Sequence, residues 1–273
     1  MIRIVTDSSA DLSPAVAAEH HIEVVPLTIR FGDEEFVDRR DLSAGEFWER
    51  MQSADALPTT AAPSIGAFQE AFDTLEDEGA DGVVAICISD GLSATYRSAQ
   101  LAAGEASVPV RVIDSRTASM PLGLTAIAAA DAARLGADLD DVAAAVAGAQ
   151  PDLLATLDTL ENLKRGGRIG AAEAFFGGLL NVKPLITFTD GVVAAAGRVR
   201  TRRKALAALL DWLAIQEHVT RLGIVHGNAP DIDEFVGLAG ERVSDVPILV
   251  ELAGPVIGTH AGAGFVGLAV THT

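Results

Sequence analysis

Short apolar runs alternate with helix-capping residues through the first half of the chain, and this alternation restricts the fold more than any other feature. The runs Ile2–Thr6, Glu23–Phe31, 83–88 and Val110–Ile113 read as strands. Helix starts are marked by Ser13-Pro14, by Ser43 with Glu46 completing a capping box, by Pro63-Ser64 and by Ser93, and an Ala-rich helix covers about 118 to 136. A hydroxyl before the first turn accepts from its unpaired N–H groups, and proline fits there because that N–H is not needed. Strand–helix alternation predicts an α/β fold with an N-terminal, mostly parallel sheet flanked by helices.

After Pro151 the rhythm changes. Strands are expected at Leu153–Leu157, Pro184–Phe188, Val192–Ala196, Leu222–His226, and near 247–252 and 265–270, with helices from Thr201 and Asp231. Thr189-Asp190-Gly191 reads as a hairpin turn, because Asp-Gly accepts positive φ. The pattern predicts a second, α+β domain, dividing the 273 residues at 1–150 and 151–273.

Apolar residues make up 49% of the chain, yet no run resembles a membrane span. The uncharged stretch Leu252–Val270 contains Pro255, five glycines and His260 and reads as a Gly-rich loop entering a buried strand. No basic-then-apolar leader precedes the first strand, which predicts a cytoplasmic protein without stable membrane insertion. The single cysteine, Cys87, lies inside an apolar strand and reads as core packing. A net charge of −18 argues against nucleic acid as a partner. No group of histidines, cysteines and carboxylates has the spacing of metal ligands.

The basic residues are concentrated. Lys164, Arg165, Arg168, Lys183, Arg198, Arg200, Arg202, Arg203 and Lys204 fall in one short section. Thr201 as a cap places Arg202, Arg203 and Lys204 in a first helical turn, where positive charge opposes the helix dipole. That cost points to docking on an acidic partner or on nucleotide phosphates; pairing with the chain's own carboxylates is the structural alternative.

Ligands of an open parallel sheet bind beyond the carboxyl ends of its strands. Asp7-Ser8-Ser9, Ser89-Asp90-Gly91-Leu92-Ser93 and Asp114-Ser115-Arg116 occupy such ends, and Pro58-Thr59-Thr60 adds hydroxyls. Gly91-Leu92-Ser93-Ala94-Thr95 has two readings. A hydroxyl at a strand–helix turn holds an anion on free N–H groups; the same turn is the esterase elbow with its last glycine replaced by Thr95. The second reading makes Ser93 a nucleophile and needs a histidine and an acid, for which His226, His260, Asp114 and Asp190 are candidates.

These motifs carry a resemblance. Val5-Thr6-Asp7-Ser8-Ser9-Ala10-Asp11-Leu12, Pro58-Thr59-Thr60, Leu92-Ser93-Ala94-Thr95-Tyr96, Val112-Ile113-Asp114-Ser115-Arg116, Leu163-Lys164-Arg165-Gly166-Gly167-Arg168-Ile169 and Gly258-Thr259-His260 resemble, in order and spacing, the DegV family of bacterial fatty-acid-binding proteins. The resemblance implies a lipid carrier rather than an enzyme, with a fatty acid in a buried tunnel between or within the two domains. It implies no cofactor beyond that ligand. It also implies a partner, a separate ATP-dependent fatty acid kinase that receives the carboxylate and makes an acyl phosphate for phospholipid synthesis. Thr60 and Ser93 match the hydroxyls that hold the carboxylate. Arg168, His260, Arg165 and Lys164 match positions near the head group or the partner face, and Arg202 and Arg203 join them from the basic section. The chain departs from the family at Ala61-Ala62, Ala94 and Gly262-Ala263-Gly264.

Overall fold

Ser13, Ser43, Ser64 and Thr201 each cap a helix by accepting from the backbone N–H three residues on, at Val16, Glu46, Ala67 and Lys204. The computed structural model describes residues 1–54, 56–148, 151–175, 182–243 and 245–272. Its first half runs β1 (Ile2–Asp7), α1 (Pro14–Glu19), β2 (Ile22–Val25), β3 (Thr28–Phe31), β4 (Glu34–Val37), α2 (Ala44–Ser53) and β5 (Thr59–Ala61). It continues with α3 (Ile65–Asp77), β6 (Gly82–Cys87), α4 (Thr95–Ala103), β7 (Val110–Asp114), α5 (Met120–Arg134) and α6 (Leu139–Gly148). Then come β8 (Asp152–Thr156), α7 (Glu161–Arg165), β9 (Lys183–Thr189), β10 (Val192–Val199) and α8 (Arg202–Ala214). The chain closes with β11 (Val219–His226), α9 (Ile232–Gly240), β12 (Ile248–Leu252), α10 (Pro255–Ala261) and β13 (Val266–His272).

β2, β1, β6 and β7 form a parallel sheet in that order. Every residue of β6 is buried, as expected when helices cover both faces of a parallel sheet. Val84 and Ile86 pack with α5 and α6, whereas Val83, Ala85 and Cys87 pack with α3 and α4. The second sheet is mixed, in the order β10-β9-β8-β13-β11-β12, with only β11 and β12 parallel. One of its faces, with Leu154, Leu222 and Leu268, rests on α8 and α9. The other, with Leu153, Ala155, Ile186 and Val225, turns toward α5 and α10. A short antiparallel sheet, β4-β3-β5, completes the fold.

The first two turns of α5 are buried on all sides between the two large sheets, Met120 and Leu124 facing one and Leu122 and Ala126 the other. Its small residues let the sheets approach: a Cβ on Gly123 would stand 2.6 Å from the carbonyl of Ala10. The hairpin between β9 and β10 turns on Asp190 and Gly191, both at positive φ (52° and 78°), as the Asp-Gly pair predicts.

Three expectations need correction. The strand expected over Glu23–Phe31 is two strands in different sheets, because Pro26 has no N–H with which to continue the ladder. The helix expected from Ser93 starts at Thr95, with Ala94 at the cap position and no side-chain cap. The stretch read as a Gly-rich loop contains α10, which starts on Gly254 and Pro255 and carries His260 in its last turn.

Candidate functional site

A cavity of about 210 Å³ lies between the inner face of the second sheet and the carboxyl ends of the parallel strands. Leu153, Ala155, Ile186, Phe188 and Val193 line it from β8, β9 and β10, Val256, Ile257 and Ala261 from α10, and Ile88 and Leu92 from the segment after β6. Among the described residues its polar side chains are Thr60, Ser93, Ser119, Arg168 and His260. Ser119 is occupied elsewhere, donating to Asp11 at 2.6 Å.

Thr60 sits on β5 and His260 on the last turn of α10, and Thr60 Oγ1 lies 3.0 Å from His260 Nε2. Among the described residues the other ring nitrogen, Nδ1, is buried without a hydrogen-bond partner. A buried N–H without an acceptor is the least tolerated arrangement, which assigns the ring proton to Nε2. His260 therefore donates to Thr60, and the threonine O–H is free to donate into the cavity. Burial, with the Arg168 guanidinium nearby, holds His260 down to about 4, so the imidazole is neutral at pH 7.

The paired glycines of Lys164-Arg165-Gly166-Gly167-Arg168 have different duties. Gly166 has ordinary α backbone (φ −75°), yet a Cβ there would stand 2.4 Å from His260 Nδ1. Its missing side chain makes room for the imidazole. Gly167 has φ +70° and, among the described residues, open space around it, so it serves the turn. Arg168 then reaches back: Nε donates to the carbonyl of Leu92 at 3.0 Å and Nη1 to that of Gly166 at 2.6 Å. This guanidinium joins the Ser93 segment to the end of α7. A second tie holds the same segment, since Ser89 Oγ donates to the carbonyl of Gly191 at 2.6 Å in the β9–β10 hairpin.

Ser93 Oγ lies 2.8 Å from Thr95 Oγ1. Thr95 is buried, so the residue that replaces the last glycine of an esterase elbow supplies the serine's partner. No histidine is hydrogen-bonded to Ser93 among the described residues, and His260 is engaged by Thr60. The serine–histidine pairing of a nucleophile is not assembled here.

Other candidates fall outside the cavity. Lys164 and Arg165 are exposed on α7, Arg165 lying 3.9 Å from Glu161. Arg202 makes two 2.6 Å hydrogen bonds to Asp231 and a longer contact with Asp158. The positive charge opposing the dipole of α8 is thus neutralised within the chain at Arg202, while Arg203 and Lys204 are exposed. Asp7-Ser8-Ser9 is fully buried: Asp7 accepts from the N–H of Ser9 and Ile88, tying strand ends together rather than facing a ligand. His226 Nδ1 accepts from the N–H of Ala229, a structural role. Among the described residues no cluster of three or more His, Cys, Asp or Glu is arranged to hold a metal ion, and no helix is long and apolar enough to cross a membrane.

Sequence reasoning missed Ser119, Phe188 and the room made by Gly166. Only the Gly-Gly pair left a trace of the last.

Comparison with known proteins adds three findings. A family model described as "Uncharacterised protein, DegV family" matches residues 1–273. A DegV domain-containing protein of Streptomyces coelicolor is 37% identical over 279 residues, covering 99% of this chain and 98% of the relative. Among solved structures, the chain is similar to a DegV family protein from Thermus thermophilus described by its fatty acid binding (32% identity, TM-score 0.89, 100% and 99% coverage). It is also similar to DegV from Bacillus subtilis, described as a fatty acid binding protein (29%, 0.90, 100% and 99%), and to a stearic-acid-binding protein from Eubacterium ventriosum (25%, 0.90, 100% and 98%).

Proposed function

This chain belongs to the DegV family, and on that footing we propose that it is a carrier that binds a long-chain fatty acid in the cavity, its carboxylate on Thr60 and Ser93. The observation that carries the reading is an apolar cavity with neutral hydroxyl donors at one end, one of them oriented by a neutral histidine. Each buried methylene contributes about 0.8 kcal/mol, so a dozen contribute on the order of 10 kcal/mol before ordering costs. Hydroxyl hydrogen bonds then offset the desolvation of the carboxylate. The protein passes the acid to a separate, ATP-dependent fatty acid kinase in the cytoplasm, which forms the acyl phosphate used in phospholipid synthesis. Neutral donors leave the carboxylate oxygen nucleophilic toward an incoming γ-phosphate. Lys164, Arg165 and Arg203 are the exposed cations offered to that partner, and the 1–150 and 151–273 units close on the acid from either side.

The test is extraction of the purified protein with organic solvent and mass spectrometry of the extract, beside native mass spectrometry of the intact sample. One fatty acid per chain is expected. An empty protein whose Ser93 is labelled by a fluorophosphonate would instead establish a serine esterase.

A further inference from the structure

The hydroxyl of Ser93 has a second hydroxyl behind it. α4 starts at Thr95 with Ala94 at the cap position and no side-chain cap, which leaves Ser93 outside the helix and lining the cavity. Thr95 is fully buried and does not line the cavity. Its Oγ1 lies 2.8 Å from Ser93 Oγ, and its backbone N–H donates to the same oxygen at 3.4 Å.

Which hydroxyl donates follows from the partners each one has. Among the described residues Thr95 Oγ1 has Ser93 Oγ as its single hydrogen-bond partner, and a buried O–H left without an acceptor is costly. Ser93 borders the cavity, so its own proton has a place to go. The Thr95 O–H therefore donates to Ser93. A hydroxyl has one proton and two acceptor positions, and Ser93 fills both of the latter with the O–H and N–H of Thr95. What it offers a ligand is its proton, and accepting from Thr95 polarises that O–H toward an anion.

We propose that Thr95 is a positioning residue that fixes Ser93 as a donor, and so favours an ionised acid over an uncharged lipid of the same chain that brings its own O–H. The proposal rests on the fatty-acid reading and adds to it a residue outside the cavity. A carboxylate only accepts, which matches Ser93 as Thr95 holds it. The O–H of a fatty alcohol finds no open acceptor position on that serine. Without the Thr95 hydroxyl, Ser93 is free to turn and to accept.

The test measures the affinity of delipidated protein for hexadecanoate and for hexadecanol, by displacement of a fluorescent fatty acid whose own affinity is measured for each variant. Thr95→Val keeps the shape of the side chain and removes its hydroxyl; it is expected to weaken the acid roughly 2- to 13-fold and to leave the alcohol unchanged or tighter. Thr95→Ser, which keeps the hydroxyl, is expected to retain acid affinity. In a Ser93→Ala background Thr95→Val should cost nothing further, because its effect passes through the serine. Thermal melts establish that each variant is folded, and Thr95→Ala removes the same donor where valine does not fit. Equal loss for acid and alcohol, or a loss that persists without Ser93, makes Thr95 a packing residue and overturns the proposal, as does wild-type acid affinity in the folded valine and alanine variants. Wild type that binds no acid overturns the fatty-acid reading itself.

Discussion

Replacing Gly166 by alanine perturbs the polar end of the cavity without removing any hydrogen-bonding group. By conformational entropy alone the change should help, because φ −75° suits any residue and Gly→Ala at such a site stabilises by about 0.4–1 kcal/mol. Sterics oppose it. The new Cβ would stand 2.4 Å from His260 Nδ1, 2.7 Å from Cε1 and 3.2 Å from the carbonyl of Asn162. That carbonyl accepts from the Gly166 N–H at 2.9 Å and cannot retreat, so the imidazole must move and its 3.0 Å contact with Thr60 breaks. Overpacking of this kind costs about 1–3 kcal/mol, which outweighs the entropy gain. Loss of the bond that orients the Thr60 hydroxyl costs about 0.5–1.5 kcal/mol of binding, or roughly 2- to 13-fold in Kd. Gly167→Ala is the control. Its φ of +70° strains alanine by about 1 kcal/mol, but among the described residues nothing lies within 4 Å of the new Cβ. Denaturant melts should show both variants destabilised, while fatty-acid titration should show weaker binding only for Gly166→Ala. Wild-type affinity in Gly166→Ala, or equal loss in both, would refute the argument that Gly166 exists to seat His260.

Ser93→Ala and Thr60→Val should each weaken binding of a fatty acid by about 1.5–3 kcal/mol, the range for hydrogen bonds to charged groups, and calorimetric titration of delipidated protein reads this directly. Arg168→Ala should raise the His260 pKa above about 4, since the guanidinium is one of the causes holding it down; imidazole NMR shifts followed against pH check this. Asp11 and Asp38 are buried carboxyls that burial pushes up to about 7 and about 6. A raised folded pKa makes the native state bind the proton more tightly, so their contribution is present below the ordinary value of 3.8 and is lost as pH rises toward 7. Asp38→Asn should therefore reduce the fall of unfolding midpoint between about pH 4 and 7 and raise stability at pH 8; an unchanged slope in urea melts would count against it. His260 acts oppositely, its contribution being lost as pH falls from 6.5 through about 4.

The parallel half of the fold was legible because its signals are local. Caps at Ser13, Ser43 and Ser64 there, like the Asp190-Gly191 turn of the second sheet, each depend on a few neighbouring residues. Where the reading failed, the deciding partner was remote or the local signal was ambiguous. Glycine lowers helix propensity, so Gly254–Gly264 reads as a loop; α10 forms because Pro255 suits a first turn and because Gly258 packs beneath Phe47 and Trp48, which no larger residue permits. Ser93 and Thr60 stood out as hydroxyls at turns, but the Thr60–His260 bond joins residues 200 positions apart. The family resemblance put His260 near the head group or the partner face; only the fold shows that its ring meets the Thr60 hydroxyl.

On the proposed reading, the parts pack into an anion site built around a neutral imidazole. To seat His260 against Gly166, α10 carries the ring into a buried position where protonation is disfavoured. The nearest cation, Arg168, donates to two backbone carbonyls, so its charge is placed by those bonds rather than by a ligand. On the proposed reading, a carboxylate arriving at Thr60 and Ser93 meets two neutral hydroxyls rather than an ion pair. Burying a carboxylate costs several kcal/mol unless it is hydrogen-bonded, and two hydroxyls offset part of that cost while the hydrocarbon supplies the affinity. On the proposed reading, selectivity and retention rest on the length and shape of the apolar cavity, and the head group is held by neutral hydroxyls. That division of labour suits the proposed carrier, whose hydrocarbon supplies the affinity while the head group fixes orientation.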